Sequence, residues 1–243
     1  MLFKIIDVRS VWRTVGGDTL RDIALVCVAD AIIAVTFGAI SVAGGLPSWV
    51  PVSMSLLVFA GGAQFAAAGV MLAGGSAAAA VAAGLVLNTR LVPYGFAVAD
   101  VFDGPWWTRL AGAHVVTDES VAFALRQPDR ARRRAAFWAC GAGLFVVWNL
   151  AVAAGVFAGR YVGNTNAIGL DAVFPAVLLA LVLPALADRA TLWAAMAGAA
   201  VAVAVTPVLP PGLPVLLALA GVALLVRPPS AERRRRANQA EAG

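Results

Sequence analysis

Seven stretches of this sequence, at 23–44, 50–73, 76–99, 135–159, 167–187, 190–207 and 211–227, are built almost wholly from apolar residues. A hydrocarbon core of ~30 Å needs about 20 such residues per helix. Lipid offers no water to the backbone, so a spanning segment must satisfy its own N–H and C=O groups, as a helix does. Only 13% of the residues are charged and 61% are hydrophobic, against roughly 25% charged in a soluble domain. The mean hydropathy is +0.87. These features predict an all-α polytopic membrane protein and exclude an ordinary soluble domain. Turn-forming stretches separate the windows: "GGLPSWVP", "AGGS", "GRYVGNTN", "ADR" and "PVLPPG".

The net charge of +5 does not point to nucleic acid. The basic residues sit in short runs between apolar spans, where they act as topogenic charge. Lys4, Arg9, Arg13 and Arg21 precede the first window. Arg126, Arg130, Arg132, Arg133 and Arg134 lie in "RQPDRARRR", Arg189 in a short loop, and Arg227 and Arg233 to Arg236 at the end. Seven crossings put these runs on both sides. An eighth at about 108–125, "TRLAGAHVVTDESVAFAL", gathers fifteen of the eighteen on the cytoplasmic side. Arg109 and Arg160 are then outside and Arg90 is within the membrane. "DVFDGPWWTR" becomes an outer loop with a tryptophan pair suited to the interface.

The expectation is therefore eight transmembrane segments with both termini cytoplasmic, the fourth being polar or broken. Residues 1–22 form a cytoplasmic N-terminal segment, 23–227 the transmembrane domain and 228–243 a disordered basic cytoplasmic tail. The mixed charge of "MLFKIIDVRSVWRTVGGDTLRD" does not fit a signal peptide. "GLPSWVPVSMSLLV" and "GLDAVFPAVLLALV" share a few positions at an offset of 124, as two four-pass halves of common origin would.

Polar residues at membrane depth are few: Asp30, Gln64, Asn88, Arg90, His114, Thr117, Asp118, Glu119 and Asp171. A central Arg or Asp costs ~3 kcal/mol on insertion scales, so such residues either pair or work. One reading is a static set of ion pairs that fixes packing. The other is a polar pathway through the bundle. In "VFAGGAQFAAAG", Gly61 and Gly62 invite unwinding of the second span. Half-helix ends of that kind hold small substrates in transporters, although small residues also serve close helix packing. On a helix, His114 shares a face with Thr117 and Asp118. It is either a packing residue or part of a proton relay. Cys27 and Cys140 fall inside apolar spans and read as small packing residues. No metal-ligand cluster, nucleotide-binding loop or nucleophile elbow is present. The chain is thus expected to be no enzyme and to use no metal or cofactor.

The segments "TFGAISVAGGL", "SLLVFAGGAQF", "VLNTRLVPYGFAVAD", "HVVTDESVAFAL" and "IGLDAVFPAVLLALVLP" together resemble the AzlC family of branched-chain amino acid permeases. The resemblance implies the large subunit of an exporter of leucine, isoleucine and valine in the bacterial cytoplasmic membrane. It further implies a small AzlD-type membrane partner and coupling to the proton-motive force. One departure stands out: Leu91 follows Arg90 where the family carries histidine.

A branched-chain amino acid is a zwitterion with an apolar tail. It needs a cation or a helix N-terminus for its carboxylate, and an acid or carbonyls for its ammonium group. Candidate substrate contacts are Gly61, Gly62, Gln64, Asn88, Arg90, Thr117, Asp118, Glu119 and Asp171. Candidate proton carriers are Asp30, His114, Asp118 and Glu119. The competing class is a non-transporting membrane scaffold or assembly subunit whose intramembrane charges are structural. A homo-oligomer is compatible with either.

Overall fold

The computed structural model describes residues 14–161, 179, 183, 185–209 and 213–218. All regular structure among them is helical. Eight α-helices follow one another before Tyr161: α1 (Gly17–Ala43), α2 (Trp49–Leu57), α3 (Gly61–Leu72), α4 (Ala77–Asn88), α5 (Leu91–Ala97), α6 (Trp106–His114), α7 (Asp118–Leu125) and α8 (Arg130–Gly159). Beyond them lie α9 (Arg189–Val205) and α10 (Leu213–Ala218). Three bodies are long and apolar enough to cross a membrane: α1, the α4–α5 pair over Ala77–Ala97, and α8.

The bundle is organised on α1 and α8. Gly38 faces Val152 and Val156, Gly159 faces Ala39, and Gly143 faces the Cys27 sulfur. Residue numbers rise together along both helices, so α1 and α8 run parallel. Small residues let the two backbones touch, which is how helices associate where lipid removes the hydrophobic driving force. A Cβ on Gly159 would lie 2.7 Å from the Ala39 carbonyl oxygen, and one on Gly38 2.8 Å from the Val156 nitrogen. Phe37, Phe65, Phe137 and Leu144 are fully buried around this seam. Phe37 meets Phe65 edge-on at 5.2 Å.

The second apolar window, 50–73, and the polar segment 108–125 do not form single long helices. Each folds into a helical hairpin that enters the bundle and returns to the end it left. For α2–α3, the entry is tied to the C-terminal end of α8 by Arg160 Nε donating to Ser48 Oγ at 3.1 Å. Its exit, Leu72, packs on Gly44 just past α1. Its tip, Val58 to Ala60, lies deep between them. The α6–α7 hairpin is the counterpart from the opposite end. Arg130, at the start of α8, bonds Asp103 at 2.7 Å, and Arg133 bonds Asp100 at 3.1 Å. The chain entering α6 and the chain leaving α7 are therefore at one end. The tip packs Val115 on Gly141, about 16 Å along α8 from Arg130. The two tips touch: His114 Nε2 lies 2.9 Å from the Leu56 carbonyl oxygen.

The eight-crossing expectation is met in part: among the described residues three helical bodies are long and apolar enough to cross, while 50–73 and 108–125 are each two short helices. Hydropathy and length alone do not distinguish a full pass from a hairpin whose two arms of ~12–18 Å sum to one. The loop "DVFDGPWW" was expected on the opposite side from "RQPDRARRR", yet Asp100 and Asp103 pair with Arg133, Arg130 and Arg134. Most of 167–187 and of 211–227 lies outside the described residues.

Candidate functional site

Local chemistry interrupts the helices where the tips meet. α2 stops at Leu57, and Phe59 takes φ 38°, a left-handed conformation uncommon for a residue with a side chain. α3 then starts at Gly61 with no side-chain cap. The interruption thus falls just before the glycine pair, and the glycines open the second half-helix. In the other hairpin α6 ends at His114, and Thr117 begins α7 with a capping box. Thr117 Oγ1 accepts from Ser120 N at 3.1 Å, and Ser120 Oγ accepts from Thr117 N at 2.9 Å. Between α4 and α5 the chain makes a turn at Thr89 and Arg90.

All three interruptions open onto one cavity of about 490 Å³. Phe59 to Gly62 form one wall, Leu87, Arg90 and Leu91 a second, and Val116 to Glu119 a third. Asp30 and Ile33 of α1, with Leu144 and Trp148 of α8, close the rest. Leu144 and Trp148 stand near the midpoint of α8.

The charges in this cavity are arranged, not scattered. Arg90 pairs with Asp118 at 3.5 Å, and the two side chains are 52% and 41% exposed. An exposed pair of this kind is worth at most about 1 kcal/mol, so it exchanges readily with another partner. On the opposite wall, the N–H groups of Gly61, Gly62 and Ala63 have no intrahelical acceptor. Gln64 N is the first to bond backward, to Ala60 O at 2.9 Å. The bare N-terminus of α3 carries the positive end of the helix dipole, a ready site for a carboxylate. Gly62 brings it close to Arg90, whose guanidinium is 3.6 Å from where a Cβ on Gly62 would sit. The N-terminus of α7 is the opposite case: capped, with Asp118 and Glu119 in its first turn complementing the dipole. Asp30 and Glu119 line the cavity and form no ion pair among the described residues. Among the described residues, three carboxyls and one guanidinium line the cavity.

Of the residues singled out from sequence, Asp30, Gly61, Gly62, Arg90, Thr117, Asp118 and Glu119 all line this one cavity. Three others do not. Gln64 is wholly buried behind the wall, accepting from Trp148 Nε1 at 3.1 Å and donating to Met54 O at 3.4 Å. Asn88 is the last residue of α4 and is not among the residues that line the cavity. His114 joins the hairpin tips and packs between Phe59 and Phe145. It does not share a helical face with Thr117 and Asp118, because the chain turns between them. Asp171 lies outside the described residues. Phe59 and Trp148 are among the lining residues that the sequence reading did not single out. The signal for Trp148 was present: a tryptophan in the middle of an aliphatic window, far from the interfaces that tryptophan favours.

The family model described as AzlC protein matches residues 26–162, a range that contains every residue lining the cavity. A Helicobacter pylori protein named as an uncharacterized membrane protein is 33% identical over 91 residues. That alignment covers 37% of this chain and 40% of the relative's own length. No solved structure matches the chain. The family match runs over more than half of the sequence, and it takes in both hairpins, the α4–α5 pair, α8 and most of α1: the chain belongs to the AzlC family of membrane proteins, a family associated with branched-chain amino acid transport.

Proposed function

We propose that this chain is the transporting subunit of a secondary exporter of branched-chain amino acids in the bacterial cytoplasmic membrane. The Arg90–Asp118 pair carries the reading, because it sits in a cavity between two hairpin tips and faces the uncapped N-terminus of α3. A substrate carboxylate replaces Asp118 at Arg90 and takes the free N–H groups of Gly61 and Gly62. Released Asp118, with Glu119, then faces the ammonium group. The apolar tail lies on Ile33, Leu91, Leu144 and Trp148. Asp30 and Glu119, which have no cationic partner among the described residues, are placed to carry the coupling protons.

Broken helices that meet near the middle of a bundle are a recurring transporter device, since their ends supply charge without a free ion. Here the hairpin–crossing pair α2–α3 with α4–α5 is followed by α6–α7 with α8, entered from the opposite end. Such inverted pairs give a transporter two equivalent gates. In this reading α1, the α4–α5 pair and α8 cross and the two hairpins are re-entrant, while most of 167–187 and of 211–227 lies outside the described residues. Both termini are cytoplasmic, with 1–22 and 228–243 flanking the transmembrane domain 23–227. Sixteen of the eighteen basic residues then lie inside, with Arg160 outside and Arg90 within. Family membership supports a small AzlD-type partner.

The test is counterflow of labelled leucine, isoleucine and valine into membrane vesicles carrying this chain with and without the partner. Saturable counterflow that needs both chains supports the reading. Its absence with both chains present favours the scaffold class.

A further inference from the structure

Trp148 lines the cavity yet is only 7% exposed. Its Nε1 donates to Gln64 Oε1 at 3.1 Å, and the wholly buried Gln64 donates Nε2 to Met54 O at 3.4 Å. Gln64 thereby ties the indole of α8 to both arms of the α2–α3 hairpin. A second brace lies beside it. Asn149 accepts from Ser55 Oγ at 2.7 Å and donates to Phe145 O at 2.7 Å, which fixes the direction of its amide. The indole's outer edge meets the first residue of α3: a Cβ on Gly61 would lie 2.8 Å from Cη2. The next residue, Gly62, faces Arg90. A carboxylate held between Arg90 and the α3 N–H groups therefore has its α-carbon beside the indole.

We propose that the Gln64–Trp148 brace is a specificity element: Trp148 sets the longest side chain the cavity admits, and Gln64 is the positioning residue that holds it. The proposal rests on the reading of the cavity as an amino acid site. Ile33, half-buried on α1, can adapt to a guest by changing rotamer. The indole cannot, because swinging it away leaves both its N–H and the Gln64 carbonyl unpaired in a buried place. Gly61 is part of the same device, since any larger residue there pushes the ring. An apolar pocket bounded by an adaptable wall distinguishes one methylene by only about 10–200-fold. A wall that cannot retreat rejects large side chains by steric exclusion as well.

The test is competition between valine and phenylalanine for transport in vesicles from cells expressing the full chain with its small partner. Trp148→Ala is expected to raise the phenylalanine-to-valine ratio by about tenfold or more, through KM for phenylalanine, with valine still transported. Gln64→Leu is expected to move the ratio in the same direction, and Trp148→Phe to move it less. Should Trp148→Ala fail to accumulate, Trp148→Leu and Gln64→Leu carry the same comparison. An unchanged ratio in any variant that still transports valine overturns the proposal. So does equal loss of both substrates in a variant that accumulates normally, which makes the brace structural only. If the wild type transports neither valine nor leucine, the reading of the cavity itself fails, and this proposal fails with it.

Discussion

Asp103 and Arg130 meet at 2.7 Å, and that contact closes the base of the α6–α7 hairpin. It puts the residues before α6 and after α7 on one side of the bundle. The mirror contact, Arg160 with Ser48, closes the base of α2–α3 at the other end.

Cysteine labelling reads this arrangement directly. Trp106→Cys and Asp129→Cys are expected to react from the same side of the membrane, and Pro47→Cys and Ala73→Cys both from the other. All four positions are exposed, and the native Cys27 and Cys140 are buried and silent. Full crossings by 50–73 and 108–125 would split each pair across the membrane.

The α1–α8 seam makes a stability prediction. Gly159→Ala places a Cβ against backbone at Ala39, and Gly38→Ala places one against Val156. Backbone does not yield as a side chain does, so each is expected to cost ~1–3 kcal/mol or more. Gly95→Ala is the control. Nothing lies within 4 Å of its Cβ, and replacing helical glycine by alanine gains roughly 0.5–1 kcal/mol. Thermal unfolding in detergent should rank them in that order.

Thr117 provides a third test. Thr117→Ala removes the cap of α7 and leaves the Ser120 N–H without its acceptor, for a loss of about 1 kcal/mol, while Thr117→Ser retains the hydroxyl. Because α7 carries Asp118 and Glu119 in its first turn, Thr117→Ala is expected to weaken transport more than stability. Equal transport by the alanine and serine variants, at equal expression, would contradict that role.

Much of this was legible in the sequence, and the limits have physical causes. The crossing bodies α1 and α8 were evident because each is a single long apolar helix. Arg90 and the acids of "TDES" were evident because charge at membrane depth is costly. The hairpins were not, since two short helices of ~12–18 Å leave the same hydropathy trace as one pass. A cue did exist in Thr117 followed three residues later by Ser120, a helix start inside a supposed span. Asp129, which caps α8, is a start signal of the same kind. The same cause separates His114 from Asp118: a shared face needs a helix that continues past His114, and α6 ends there. Gln64 was polar in the right place but turned to the wrong side of the wall, and spacing alone does not give that direction.

The central claim is that Arg90 holds the substrate carboxylate in place of Asp118. The pair is half-exposed, so Arg90→Ala is expected to change stability by no more than about 1 kcal/mol. Transport should nevertheless be lost. Arg90→Lys should fold and transport poorly, because an ammonium group lacks the planar fork that pairs with both carboxylate oxygens. The deciding measurement is leucine counterflow by the double variant Arg90→Ala with Asp118→Ala, alongside its unfolding temperature. The account predicts a stable protein without counterflow. Counterflow at the wild-type rate would contradict it, and would reduce the Arg90–Asp118 pair to a packing contact.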